Sequence, residues 1–174
     1  MKTSAKNRHQ SCRFRSARNV DAAALSDLAM RSKAYWGYDE EFMSQCRSEL
    51  TWSPEQISAP RFDFQVCCFD SEPVAFYALE RINADVAELE AMFVEPQHIG
   101  SGIGRLMIEH AKARAKTQGV KRMIIQGDPH ADSFYRAAGA QQCGSRPSCS
   151  IPGRQLPLYE LTLDDRKDDT VDGK

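Results

Sequence analysis

Apolar positions recur along this chain at two spacings, and the switches between them mark out its elements. "CRFRSA", residues 12–17, reads as a short strand. "DAAALSDLAMRSKAY" then places Leu25, Leu28, Ala29 and Ser32 on one helical face. "DEEFMSQCRSEL" does the same with Phe42, Met43, Cys46 and Leu50, and its acidic first turn suits the helix dipole. "FDFQVCCF" and "PVAFYALER" read as strands joined through "DSEP", and "DVAELEAMFV" as a third. A helix follows the glycines near residue 100 and runs to about Gln118, where Gly119 stops it. "KRMIIQG" is a strand, "ADSFYRAAG" a short helix and "LPLYELTL" a closing strand. Such an order predicts an α/β chain, a mixed sheet packed with helices. Residues 12–163 form the expected single domain, with polar 1–11 and 164–174 as flexible tails, the latter ending in "DDRKDDTVDGK".

Composition narrows the choices. With 174 residues, 41% hydrophobic and 27% charged, one domain with a sizeable core is expected. A net charge of -1 excludes nucleic-acid binding driven by bulk positive charge. The basic start "MKTSAKNRHQ" has no apolar run behind it, and no stretch is long enough to span a membrane. A cytoplasmic protein is the expectation, without nucleic-acid or membrane partners. The six cysteines include no C-x-x-C pair and are read as reduced thiols. His9, His98, His110 and His130 lack metal-ligand spacing, so no metal is expected. His110, on an inward helical face, reads as a satisfied core residue.

The stretch "EPQHIGSGIGRLMIEHAK" poses a sharper question. Gly100, Gly102 and Gly104 alternate where a helix should begin. Glycine costs roughly 1 kcal/mol relative to alanine inside a helix, which suggests a close approach to the backbone. In the helix that follows, Ile103, Leu106, Met107, His110 and Ala111 are expected to face the core, opposite Arg105, Glu109, Lys112 and Lys116. A strand delivering glycines to a helix N-terminus offers free N–H groups and a favourable dipole to an anion. A P-loop would need Gly-Lys-Ser/Thr, where the chain has Gly104-Arg105-Leu106. A dinucleotide fingerprint would need G-x-G-x-x-G, where the spacing is G-x-G-x-G. A turn that binds nothing is the plain alternative. Gln97 to Gly102 fits a third pattern, Q/R-x-x-G-x-G/A.

That pattern is the pyrophosphate motif of the GNAT acetyltransferase superfamily, and "MFVEPQHIGSGIGRLMIEHA" resembles its signature strand, loop and helix, with Val94 and Pro96 at the expected offsets. "DPHADSFYRAAGA" resembles the second signature, in which an "FY" pair opens a short glycine-ended helix. "KAYWGYDEEFM" and "SIPGRQLP" look like segments of an uncharacterised branch. The resemblance implies the GNAT fold: a central mixed, mostly antiparallel sheet of about seven strands with about four flanking helices. It implies acetyl-CoA as co-substrate, held by Met92, Phe93, Val94, Gln97, Gly100, Ser101, Gly102, Ile103, Gly104, Arg105, His130, Ser133 and Tyr135. Two positions depart from the pattern: His130 replaces a frequent asparagine, and Ile99 a frequent basic or polar residue.

Acetyl transfer to an amine, which the resemblance implies, needs a base to neutralise the amine, a donor for the oxyanion of a tetrahedral intermediate, and an acid for the departing thiolate. Glu88 and Glu90, two apart on one strand, are the base candidates. They lie opposite Ala87, Leu89, Ala91 and Phe93. Their own face turns apolar at Met92 and Val94, which fits a bulge or splay near Ala91–Met92. The alternative is that they simply face solvent. Tyr135 occupies the place of the family's frequent catalytic tyrosine and is the acid candidate; the alternative is a packing aromatic.

The resemblance puts "SKAYWGYDEEF" on the acceptor side, with Tyr35, Trp36 and Tyr38 as an aromatic wall. Asp39, Glu40 and Glu41 either attract a cationic amine or cap a helix. Arg154 either clamps an acceptor carboxylate or braces its loop. The implied partner is a small-molecule amine, with a homodimer also allowed. Rival readings are a protein lysine or N-terminal acetyltransferase and a non-catalytic acyl-CoA sensor on the same fold.

Overall fold

The computed structural model describes residues 12–163, and both expected tails lie outside the described residues. Strand β1 (Arg13–Ser16) leads through a 3-10 turn into α1 (Ala22–Ala34). Its face of Leu25, Leu28, Ala29 and Ser32 is buried, as the helical spacing predicts. Helix α2 (Glu40–Cys46) starts at Asp39, whose carboxylate accepts from the Phe42 N–H at 2.8 Å. It is shorter than its pattern, although Leu50 beyond it is still buried.

The next element, α3 (Pro54–Ser58), was not foreseen, so five α-helices flank the sheet rather than about four. Its signal is local. Ser53 accepts from the Gln56 N–H at 3.2 Å, the Gln56 side chain accepts from the Ser53 N–H at 2.8 Å, and Pro54 takes the first helical position.

β2 (Phe62–Phe69) and β3 (Glu72–Arg81) form a hairpin whose two loop residues, Asp70 and Ser71, have φ of 45° and 75°, as two-residue hairpin loops require. After β4 (Val86–Val94) come α4 (Ile103–Thr117), β5 (Arg122–Gln126), α5 (Asp132–Ala137), β6 (Gln141–Pro147) and β7 (Gln155–Thr162). Residues 141–147 carry no apolar alternation, which is why the pattern assigned them no strand. The seven strands lie in the order β1-β2-β3-β4-β5-β7-β6, antiparallel except for β4 against β5.

Each face of the sheet has its own core. α1, α2 and α3 cover one face over Phe64, Val66, Phe76 and Ala78, and α4 and α5 cover the other over Tyr77, Leu79, Met123 and Tyr159. Cys67 and Cys68 serve opposite faces, as expected of neighbours on a strand.

Two expectations need correction. In α4, Ile108 is buried while Leu106 is 52% exposed, because the buried stripe runs Ile103, Met107, Ile108, Ala111, Ala115. The cysteines are also not all reduced: Cys12 and Cys67 form a disulfide, Cα atoms 6.0 Å apart. The β1–β2 register sets Phe14 opposite Cys67, so Cys12, two residues away on the same face, lies diagonal to it. No pairing of distant strands could be read from cysteine spacing. His110 is satisfied, as expected, by the Tyr77 hydroxyl at 2.8 Å and by stacking on Phe14. Among the described residues no helix is long and apolar enough to cross a membrane.

Candidate functional site

The site arises where two parallel strands separate. β4 pairs with β5 only from Val86 to Glu88, opposite Arg122 to Ile124, and then runs on to Val94 without a β5 partner. A cleft of about 570 Å³ opens between them, within the range of small-ligand sites.

A bulge accompanies the separation. Ala78 faces Ala91 while Leu79 faces Leu89, so Glu90 is the extra residue. The sequence places this irregularity near Ala91–Met92; it sits one position earlier. The extra residue also inverts the alternation. Ala87 and Leu89 before the bulge, and Met92 and Val94 after it, belong to the α4–α5 side, while Ala91 and Phe93 join the other core. Met92 and Val94 therefore do not continue a glutamate face, because one inserted residue moves every later side chain across the sheet.

At the far end of β4 the three glycines answer to two different demands. Gly100 and Gly102 have φ of 81° and 92°, a region that side chains other than glycine's enter at a cost. Gly104 is helical, and a Cβ there would come within 3.2 Å of the Phe134 ring. The first bond reaching back in α4 joins the Leu106 N–H to the Gly102 carbonyl at 3.1 Å. Among the described residues, the N–H groups of Ile103, Gly104 and Arg105 have no backbone carbonyl partner, as the first helical turn leaves them. Gly100 and Gly104 line the cleft.

Glu88 and Glu90 both line it, in different circumstances. Glu88 accepts from Arg146 of β6 at 2.5 Å. Glu90 makes no hydrogen bond or ion pair among the described residues. Its side chain is exposed to the open cleft, yet the cleft walls still displace part of its water. That desolvation first, then the charges of Glu88, Glu80 and Glu49, pushes it up to about 7.

Across the cleft Tyr135 projects from α5, only 8% exposed. Its ring lies 5.2 Å from Phe134 and 5.5 Å from Tyr159. Gly127 makes room for it, since a Cβ there would come within 3.0 Å of the Tyr135 ring. Burial first, then the Asp128 charge and Tyr159, raise the phenol well above its ordinary value, so it stays protonated.

The acceptor-side residues divide. Trp36 lines the cleft and stacks on His130, ring centroids 5.2 Å apart. Tyr35 is 51% exposed. Tyr38 and Arg154 are drawn into a brace around Asp128 rather than lining the cleft. Tyr38 donates its hydroxyl to Asp128 at 2.9 Å, Lys33 donates at 2.6 Å, and Arg154 donates to the Tyr38 hydroxyl at 2.7 Å. Of the two readings of Arg154, bracing is the one the contacts support. Burial of the phenol and the hydrogen bond to Asp128 push Tyr38 up to about 12. Asp39, Glu40 and Glu41 cap and begin α2 and do not line the cleft.

Asp128 supplies a prediction. Burial alone would raise its carboxyl. The Lys33 bond and charge, the His130 N–H at 3.0 Å and the Tyr38 hydroxyl outweigh that and hold it below the usual carboxylate value. A depressed folded-state value stabilises the fold above the unfolded value of about 3.9 and is lost as pH falls through the folded one. Denaturant titrations from pH 6 downward should therefore show Asp128→Asn destabilised near neutrality, with a shallower fall below about pH 4. Parallel curves for the variant and its parent would rule the assignment out.

Of the remaining expected contacts, Met92, Phe93, Val94, His130 and Ser133 line the cleft. Gln97, Ser101, Gly102, Ile103 and Arg105 do not line it: Ile103 is buried in the core, and the Ser101 hydroxyl donates to the His98 carbonyl at 2.6 Å. Sequence reasoning missed Lys33, Glu49, Gln126, Gly127, Asp128 and Arg146. Only the sheet order brings these together.

Comparison with known proteins bears on the family and the fold. The acetyltransferase (GNAT) family model matches residues 24–140. An uncharacterized N-acetyltransferase of Methanocaldococcus jannaschii is 29% identical over 135 residues, 72% of this chain and 60% of that protein. The peptidyl-lysine N-acetyltransferase YjaB of Salmonella typhimurium is 31% identical over 90 residues, 52% of this chain and 57% of that protein. The chain thus spans less than two thirds of the length of either relative. Among solved structures, the PaiA N-acetyltransferase of Thermoplasma acidophilum, in complex with coenzyme A, superposes with a TM-score of 0.71 at 22% identity, over 87% of this chain and 99% of that one. At that identity the likeness speaks for the fold.

Proposed function

Because the chain belongs to the acetyltransferase (GNAT) family, we propose that it is an acetyl-CoA-dependent N-acetyltransferase acting on a primary amine of a small molecule. One observation carries the reading: Glu90, pushed up to about 7 and unpaired, and the protonated Tyr135 line the same cleft. A base and an acid whose environments hold them in opposite protonation roles are what amine acylation needs.

The cleft suits the co-substrate. Glycines 100 and 102 remove side chains near the free N–H groups of α4, where a pyrophosphate would sit. The open edge of β4 from Leu89 to Val94 offers peptide groups to an extended arm. Acetyl-CoA supplies the acetyl group as a thioester, which the amine attacks directly. Glu90 takes the amine's proton, directly or through water, and the Tyr135 hydroxyl gives one to the leaving sulfur. Leu50, Trp52 and Phe93 give the cleft an apolar floor.

A second reading, acetylation of a protein lysine, is favoured by the name of the 31% identical relative. A panel of small primary amines, lysine peptides and free N-terminal peptides, assayed by thiol release and by the acceptor's mass gain, separates the two. Acetylation of small amines supports the proposal, and acetylation of peptides alone supports the second reading. Coenzyme binding with no thiol release from any acceptor would leave a sensor and overturn both.

A further inference from the structure

Arg146 is the residue of the cleft whose position the transfer chemistry does not yet explain. It lies on the edge strand β6, opposite Leu156 of β7, and its guanidinium reaches the Glu88 carboxylate at 2.5 Å. Gln126, ending β5, donates its side-chain amide to the Pro147 carbonyl at 3.1 Å and so fixes β6 beside that reach.

Glu88 faces Glu80 directly across the β3–β4 ladder, an arrangement in which like charges repel. Arg61, 3.7 Å from Glu80, is the cation on the other member. Glu49 lines the same end of the cleft and accepts from the Ser150 hydroxyl. Three of the four carboxylates there are engaged, and Glu90 is the fourth.

We propose that Arg146 is a positioning residue for acetyl transfer: by holding Glu88 against β6 it leaves Glu90 as the single free carboxylate facing the acceptor. The inference rests on the N-acetyltransferase reading.

The groups facing Glu90 set the consequence. Glu88 on its own strand, Glu80 on β3 and Glu49 after α2 favour its protonated form, with burial the larger cause, and Arg146 on β6 opposes them. Tyr135, His130, and the Lys33–Asp128 pair line the same cleft and are common to every comparison below. Without Arg146, Glu90 should bind its proton more tightly.

The test follows the Glu90 carboxyl carbon by NMR as pH is varied, its signal assigned by its loss in Glu90→Gln. Arg146→Gln should raise the midpoint by about one pH unit, as removal of a nearby opposite charge does. Adding Glu88→Gln should bring it back, Glu88→Gln alone should lower it, and Arg146→Lys should stay near the parent. With the best amine of the panel, the ascending limb of kcat/KM against pH should move in step, since the amine's own titration is unchanged.

A merely structural Arg146 would lower turnover or melting temperature without moving the midpoint. An unmoved midpoint in Arg146→Gln, or in Glu88→Gln if the former does not fold, would therefore overturn the proposal while Glu90→Gln stayed inactive. If Glu90→Gln instead turned over at the parental rate, the base assignment itself would fail and Arg146 with it. The two failures are told apart by that one variant.

Discussion

Tyr135→Phe is expected to lower turnover by about 10²- to 10⁴-fold while coenzyme binding stays nearly unchanged. The ring is kept, so its packing against Phe134, Tyr159 and the bare Cα of Gly127 is kept too. What goes is one hydroxyl at the cleft wall. Burial and the neighbouring Asp128 charge hold that hydroxyl protonated, so it can meet a thiolate whose ordinary value is about 8.5. Such a proton matters in the transition state and little in the ground state, which predicts a fall in kcat without a matching rise in KM. Rapid turnover by the variant with an identified acceptor would return Tyr135 to the role of a packing aromatic.

The second large effect concerns the coenzyme. Acetyl-CoA at about 100 times its dissociation constant should stabilise the fold by roughly 2.7 kcal/mol, and Gly102→Val should abolish that gain. Gly102 precedes α4 at φ 92°. A branched side chain there is strained by about 1–3 kcal/mol and turns the loop away from the conformation that aims the free N–H groups. Gly119→Val is the matched control: its φ is 78° at the opposite end of the same helix. Both variants should lose stability without ligand, but only Gly102→Val should lose the response to acetyl-CoA. A melting curve of the parent unmoved by millimolar acetyl-CoA would count against the whole reading.

Much of the fold was legible because its elements announce themselves locally. The α1 stripe, the β2–β3 hairpin and the glycine-led start of α4 are each formed by one short, continuous stretch of chain. Helix α3 was missed although Ser53, Pro54 and Gln56 carry a local capping signal, because so short a capped turn has no apolar period to draw attention. β6 was not legible, since Gln141 to Pro147 form an edge strand with little burial and hence no alternation.

The site divides along the same line. The signal for the bulge was the change from Glu88 and Glu90 to Met92 and Val94, read correctly as an irregularity and placed one residue late. Tyr135 and the glycines lie in contiguous motifs. Arg146 lies 58 residues from Glu88 and Asp128 lies 95 from Lys33. Arg146 reaches Glu88 from the edge strand β6, and Lys33 of α1 meets Asp128 because β5, which Asp128 follows, lies beside β4; no local pattern encodes either meeting. Tyr38 and Arg154 were expected on the acceptor side, but the brace they form spends their polar groups on each other and on Asp128.

The short β4–β5 contact has a mechanical consequence. Seven strands form one sheet by hydrogen bonding, but its two sides, β1 to β4 and β5 with β7 and β6, are stitched along a seam of only three residue pairs. Bending stiffness across a sheet depends on how many rungs span the line of bending. This line has few, and the bulge at Glu90 ends them. A ligand filling the cleft would add rungs of its own between the exposed edge of β4 and the opposite wall. Amide hydrogen exchange at residues 86–88 and 122–124 should then slow on coenzyme binding more than exchange inside either half, with the ligand acting as a splint across the joint.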